Sequence, residues 1–136
     1  MKEKIYIASP YTNGDKLKMV KLQIDVWNVL KDFGYIPIAP LLTHYINEIR
    51  ERSASEWLEY DFEILKMCQG IIRIRPRDNF GAEIPSLGAD MEQEEAIRLN
   101  IPFLEFISIE QLKYFLETTD RLRLQCLFWN PNLERV

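Results

Sequence analysis

Ile5-Tyr6-Ile7-Ala8, running into Ser9-Pro10-Tyr11-Thr12-Asn13-Gly14-Asp15, is the stretch that decides the fold. Four apolar residues without a polar break, closed by a cluster of turn formers, read as a buried strand feeding a loop. Beyond the loop the period changes. Leu17, Val20, Ile24, Trp27 and Leu30 recur at helical spacing between Lys16 and Phe33, and Gly34 supplies the stop. Tyr35 to Ala39 reads as a second strand, with Pro37 tolerated if that strand is short or near an edge. Pro40 to Arg52 is a connection, partly helical through Tyr45, Ile46 and Ile49. Ser53 or Ser55 caps a helix running through Trp57 and Leu65 to Cys68, and Gly70 ends it before a third strand, Ile71-Ile72-Arg73-Ile74. Arg75 to Pro85 is a loop, Ser86 caps a helix to Leu99, and Ile101 to Phe106 forms a fourth strand after the Asn100 stop. Ile109 to Thr118 is a further helix, and Leu122 to Trp129 a last strand or helix.

Strands alternating with helices at this spacing imply an α/β fold, a doubly wound parallel sheet with helices on both faces. Ligands of such sheets sit at the carboxyl ends of the strands, where the strand order reverses. The loops 9–15 and 75–85 fall at that place. A length of 136 residues without a repeat or linker predicts one domain, 1–136, and a composition 47% apolar and 28% charged is that of a globular chain. The net charge of -4 repels polyphosphate backbones, which argues against duplex nucleic acid as a partner. Cys68 and Cys126 lie far apart and read as free thiols of a reducing compartment. No apolar run approaches the ~18 residues that span a bilayer. The chain opens on Lys2-Glu3-Lys4 rather than a signal peptide, so no membrane and a cytoplasmic location are expected.

Turning two helices into wheels at about 100° per residue isolates the chemistry. Between Ser55 and Cys68 the apolar arc holds Trp57, Leu58, Tyr60, Ile64, Leu65 and Cys68, and Asp61 falls inside it. Between Ser86 and Asn100 the small apolar stripe is Ala89, Ala96 and Leu99, with Asp90, Glu94, Glu95 and Arg98 facing elsewhere, and Glu92 falls inside the stripe. A carboxylate turned toward a sheet needs donors or a partner, or it takes up a proton. The bland alternatives are a loop-capping carboxylate for Asp61 and a solvated edge residue for Glu92. Alanines beside Glu92 leave room for a ligand. Ser86 as a cap with Gly88 in the first turn exposes backbone N–H groups at a positive helix end, a seat for an anion that, taken alone, is usually just a cap.

Three segments taken in order resemble the nucleoside 2-deoxyribosyltransferase-like superfamily, including its 2'-deoxynucleoside 5'-phosphate N-hydrolases. They are Ile5-Tyr6-Ile7-Ala8-Ser9-Pro10-Tyr11, the Trp57, Asp61, Leu65, Cys68 helix, and Ser86-Leu87-Gly88-Ala89-Asp90-Met91-Glu92 followed by Ala96 and Ile101-Pro102. The resemblance covers roughly residues 4–106. It implies a flavodoxin-like fold of about five parallel strands and attack on the N-glycosidic bond of a (deoxy)nucleoside or nucleoside 5'-monophosphate. On that resemblance Glu92 is the nucleophile that forms a covalent glycosyl ester, Tyr6 orients it, and Asp61 holds or protonates the base. Ser9, Pro10, Tyr11, Ser86 and Gly88 line the substrate, with Ser86 at a 5'-phosphate in the hydrolases. A homodimer or higher homo-oligomer is implied as well.

The chemistry needs one ionised carboxylate and one proton donor, with no metal and no cofactor. His44 reads as a loop residue and, with two distant cysteines, builds no zinc site. The chain departs from the family pattern at Gln69, where an Asp is common. Arg73, Arg75 and Arg77 near the long loop are candidates for pairing with a phosphate. Transfer and hydrolysis stay open. A non-catalytic nucleotide-binding or sensing module of the same fold is the alternative, and the apolar tail Leu122, Leu124, Leu127, Phe128, Trp129 suggests, more weakly, a part in a larger assembly.

Overall fold

The computed structural model describes residues 2–11, 13 and 15–129; Thr12 and Gly14 of the first loop lie outside the described residues. Among these the chain runs β1 (Lys4–Ala8), α1 (Lys16–Asp32), β2 (Ile36–Ile38), a 3₁₀ turn (Pro40–Thr43), α2 (His44–Ile49), α3 (Ala54–Leu65), β3 (Gly70–Ile74), α4 (Leu87–Arg98), β4 (Phe103–Phe106), α5 (Ile109–Thr118) and α6 (Arg121–Trp129). Side-chain caps start the helices. Asp15 accepts from the N–H groups of Leu17 and Lys18, Ser53 from Glu56, Ser86 from Ala89 and Ser108 from Gln111. Gly34, at φ +92°, ends α1 in a conformation that side chains other than glycine's rarely adopt.

The strands form one parallel sheet in the order β2-β1-β3-β4. Leaving β1, the chain adds β2 on one side and then crosses to place β3 on the other, so the strand order reverses between β1 and β3. Alternation along these strands separates two faces. Ile5, Ile7, Ile72 and Ile74 meet Val26, Val29 and Leu30 of α1, Leu112 and Leu116 of α5, and Leu124 and Phe128 of α6. Tyr6, Ala8 and Ile71 meet Leu65, Cys68, Ala89, Ala96 and Ile101 on the side of α3 and α4. The sheet is therefore doubly wound, as expected.

It has four strands among the described residues rather than about five. The last element is a helix because Leu124 and Phe128, four residues apart, are both buried against the first face, while Leu122 is exposed. The alternation of Leu122 with Leu124 had left a strand open.

The helix α3 is also less covered than its apolar arc suggests. Leu65 and, just beyond the helix, Cys68 are buried, but Trp57, Leu58 and Ile64 are half-exposed and Tyr60 is exposed. Trp57 instead spends its indole N–H on the Asn47 side chain at 2.7 Å. Among the described residues no helix is long and apolar enough to cross a membrane.

Gly70 opens β3 where Phe128 lies flat against the backbone, and a Cβ there would overlap the buried Phe128 ring. Gly70→Ala should therefore lower stability by about 1–3 kcal/mol as that ring and α6 are displaced. Thermal unfolding checks it, and Phe128→Ala made in the same chain should recover part of the specific loss.

Candidate active site

Tyr6 reaches the site because β1 turns it, with Ala8, toward α3 and α4, in register with Ile71 and Arg73 of β3. Its side chain is fully buried and its hydroxyl donates to Oε2 of Glu92. Glu92 comes from α4, whose buried residues Ala89, Glu92, Gln93 and Ala96 follow the helical repeat down one stripe. Only 7% of Glu92 is exposed. The sequence had placed it on this stripe, and the structure turns it inward onto the sheet, not toward water.

Asp61 projects from α3 into the same region. Its Oδ1 is buried and has no hydrogen-bond partner among the described residues, none of which it caps through that oxygen. Burial pushes Asp61 up to about 7. Glu92 is pushed up to about 8, first by burial and then by the negative charge of Asp61, against the Tyr6 hydroxyl and the positive charge of Arg73, which favour its ionised form. The Tyr6 hydroxyl is itself held well above its usual range by burial and by both carboxyls. Three acidic groups from three elements thus act on one another within a poorly hydrated space.

The first loop and the start of α4 border them. Ser9 follows β1 and is buried, its Oγ without a partner. Pro10 is buried, and Tyr11 is half-buried with its hydroxyl bonded to Nδ1 of His44, so His44 is drawn into the site's edge rather than left in a free loop. Asn13 fastens the loop to the carbonyl of Pro85 at 2.8 Å, just before α4. Ser86 is buried and spends its hydroxyl on the N–H of Ala89, while a Cβ built on Gly88 would touch nothing within 4 Å. The first turn of α4 is therefore open to approach at Gly88. Gln69 lies elsewhere, accepting from the N–H of Lys4 at 2.7 Å at the amino end of β1.

Of the three arginines, Arg77 is exposed, while Arg73 and Arg75 are already engaged. Arg73 is 1% exposed and bonds Asp90 at 2.8 Å and Gln93 at 3.3 Å, with its Nε buried and unpartnered. Arg75 bonds Glu83 at 2.6 Å, Glu105 at 3.1 Å and Gln93 at 3.2 Å. Neither offers the open fork that a phosphate would need. Arg73 belongs with the site, and sequence reasoning had grouped it with the loop. Strand alternation was the missed signal, since two residues past Ile71 points to the same face as Tyr6 and Ala8. An open cleft lined by Glu3, Tyr35, Leu116, Arg121 and Leu124 lies near the amino end of β1 and includes none of these groups. No group of three His, Cys, Asp or Glu among the described residues is placed to hold a metal.

Asp61 and Glu92 bind protons more tightly in the fold than in the unfolded chain, where carboxyls titrate near pH 4. Their contribution to stability is full below that pH and is lost as the pH rises through about 7 and 8. The melting temperature should fall between pH 5 and pH 9 by roughly 5 °C or more, and Glu92→Gln should flatten the decline. Calorimetry across that range on both proteins checks it.

No protein-family model matches the chain, and no curated protein does. Among solved structures it is similar to the 2-deoxyribosyltransferase of Bacillus psychrosaccharolyticus, a biocatalyst for nucleoside synthesis, with a TM-score of 0.58 and 23% identity over 89% of this chain and 95% of that one. At that identity the likeness concerns the backbone, and it takes in nearly the whole length of both proteins. The chain has the nucleoside 2-deoxyribosyltransferase-like fold.

Proposed function

We propose that this chain is an enzyme acting, as one domain, at the N-glycosidic bond of a (deoxy)nucleoside or nucleoside 5'-monophosphate, by transfer or hydrolysis. The observation that carries the proposal is the buried Glu92 carboxyl, held by the Tyr6 hydroxyl on the sheet and acted on by Asp61, whose Oδ1 has no partner among the described residues. Ionised Glu92 attacks the anomeric carbon as the bond to the base nitrogen breaks. The electron pair leaves with the base, and protonated Asp61 supplies the proton it takes. The glycosyl ester on Glu92 is then resolved by an acceptor base or by water.

Glu92 and Asp61 fit these roles because they project from α4 and α3 into one region, where burial raises both and the charge of Asp61 acts on Glu92. The unpartnered Ser9 Oγ, with Pro10 and Tyr11, would border the sugar or the base, and the open backbone at Gly88 beside Ser86 would receive the sugar's 5' end. With Arg73 and Arg75 already paired, support for a 5'-phosphate rests on that helix end and on the exposed Arg77. The second reading, a module that binds or senses a nucleotide without turning it over, draws on one observation: burial makes both carboxyls hold their protons up to about neutral pH.

Incubation with deoxynucleosides and deoxynucleoside monophosphates, followed by chromatography for free base or exchanged nucleoside, decides between them. Turnover is expected, reduced to background by Glu92→Ala and roughly 10²- to 10⁴-fold by Asp61→Asn. Stabilisation by nucleotides with no product would select the binding module. Exposed apolar side chains on α2 and α3, among them Ile46, Ile49 and Tyr60, accord with a homodimer or higher homo-oligomer. Light scattering across a concentration series should show one, and a monomer throughout would remove it.

A further inference from the structure

We infer that Arg73 is a positioning residue for Glu92, clamping α4 on both sides of the carboxylate and supplying the buried positive charge that lets it ionise. The inference rests on the reading of Glu92 as nucleophile, but its geometry stands apart from that reading. Arg73 lies on β3 beside Ala8, on the face that carries Tyr6. Its Nη1 donates to Asp90 at 2.8 Å and to Gln93 at 3.3 Å, residues that flank Glu92 in sequence on α4. Gln93 passes the restraint on, accepting from Arg75 and donating to Glu105 at 2.6 Å, so α4 is tied to β3 and β4 around the carboxylate.

A fully buried arginine is costly unless its charge is used. Here the charge is only partly answered. Asp90, its one acidic partner by hydrogen bond, has half its side chain in water, where solvent screens it, while the guanidinium is buried and its Nε–H has no acceptor. The residual positive charge is therefore felt inward, at Glu92. The other groups acting on Glu92 are Tyr6 from β1 and Asp61 from α3, and Asp61 acts in the opposite direction. On the outer side Arg73 also acts on Glu105 of β4.

Two roles make different predictions. If Arg73 only braces α4, breaking the ion pair from either end shifts Glu92 the same way. If its charge is the agent, the two ends differ in sign. Glutamate carboxyl-¹³C resonances of the labelled protein, with Glu92 assigned by Glu92→Gln, give its titration midpoint without any substrate. Arg73→Met should raise that midpoint by about one pH unit or more, a tenfold change in acid dissociation. Arg73→Lys should stay near the parent value. Asp90→Asn, which removes the screen on Arg73, should leave the midpoint unchanged or lower it.

A midpoint that rises in Asp90→Asn, or that does not move in folded Arg73→Met, overturns the inference. If Arg73→Met does not fold, Asp90→Asn decides alone. Where turnover is found, the acid limb of kcat/KM should follow the same order. Absence of turnover in the parent protein removes the proposed function and leaves the titration to judge Arg73.

Discussion

The hydrogen bond from Tyr6 to Glu92 is the contact on which the α3–α4 side of the sheet depends. It joins the central strand to α4 through a carboxyl that has been stripped of water, and such a group tolerates little freedom in its surroundings. Small residues must stand beside it, and Ala8, Ala89 and Ala96 do. The neighbouring strand must not add a second buried anion, and β3 contributes Arg73 instead. The opposite face carries no such demand. There a continuous cluster of aliphatic and aromatic side chains from α1, α5 and α6 packs on Ile5, Ile7, Ile72 and Ile74, and supplies the apolar burial that polar groups on the first face cannot.

This division explains why α3 is so sparsely covered. Its inward side meets a region occupied by polar groups, so little apolar area is there for Trp57, Ile64 and Tyr60 to cover. Asp61, one turn before Leu65, is the inward residue that remains, and among the described residues its Oδ1 has no partner. A folded chain holds such a group only when the remaining contacts stabilise it enough. The buried Gln23, which donates to the carbonyl of Ile7 at 2.9 Å and accepts from Leu41 at 3.2 Å, shows how the same fold satisfies polar atoms where no chemistry is needed.

Much of this was legible in the sequence, for identifiable reasons. The order of strands and helices followed from the change of period at Asp15, Gly34, Gly70 and Asn100, although Gly70, read as the stop of α3, opens β3 after that helix has already ended at Leu65. Asp61 and Glu92 stood out because a charged residue at a helical repeat among apolar ones has few surfaces to face. Residues that act through long-range geometry were harder. Arg73 sits among arginines of the following loop, and only pairing of β3 with β1 shows which way it points. Gln93 is polar and uncharged, so its burial beside Glu92 left no mark on the wheel. His44 meets Tyr11 across 33 residues, through a loop whose path no local pattern fixes. The α6 tail was ambiguous because alternate and i,i+4 spacing coincide over so short a stretch.

Protonation of the two carboxyls bears on the proposed chemistry. Burial raises both Asp61 and Glu92 and so favours a proton on each, whereas the proposed glutamate nucleophile must be ionised. The groups already in place favour that ionisation at Glu92, since Tyr6 and Arg73 stabilise its anion, while among the described residues nothing donates to Oδ1 of Asp61. On the proposed reading, a bound nucleoside would complete the division of roles. A base nitrogen or carbonyl set against Asp61 takes a hydrogen bond from its protonated form, and positive charge developing at the anomeric carbon attracts the Glu92 carboxylate. Protonation of the pair would then be set by the substrate, leaving the nucleophile quiet until a base and a sugar are both present.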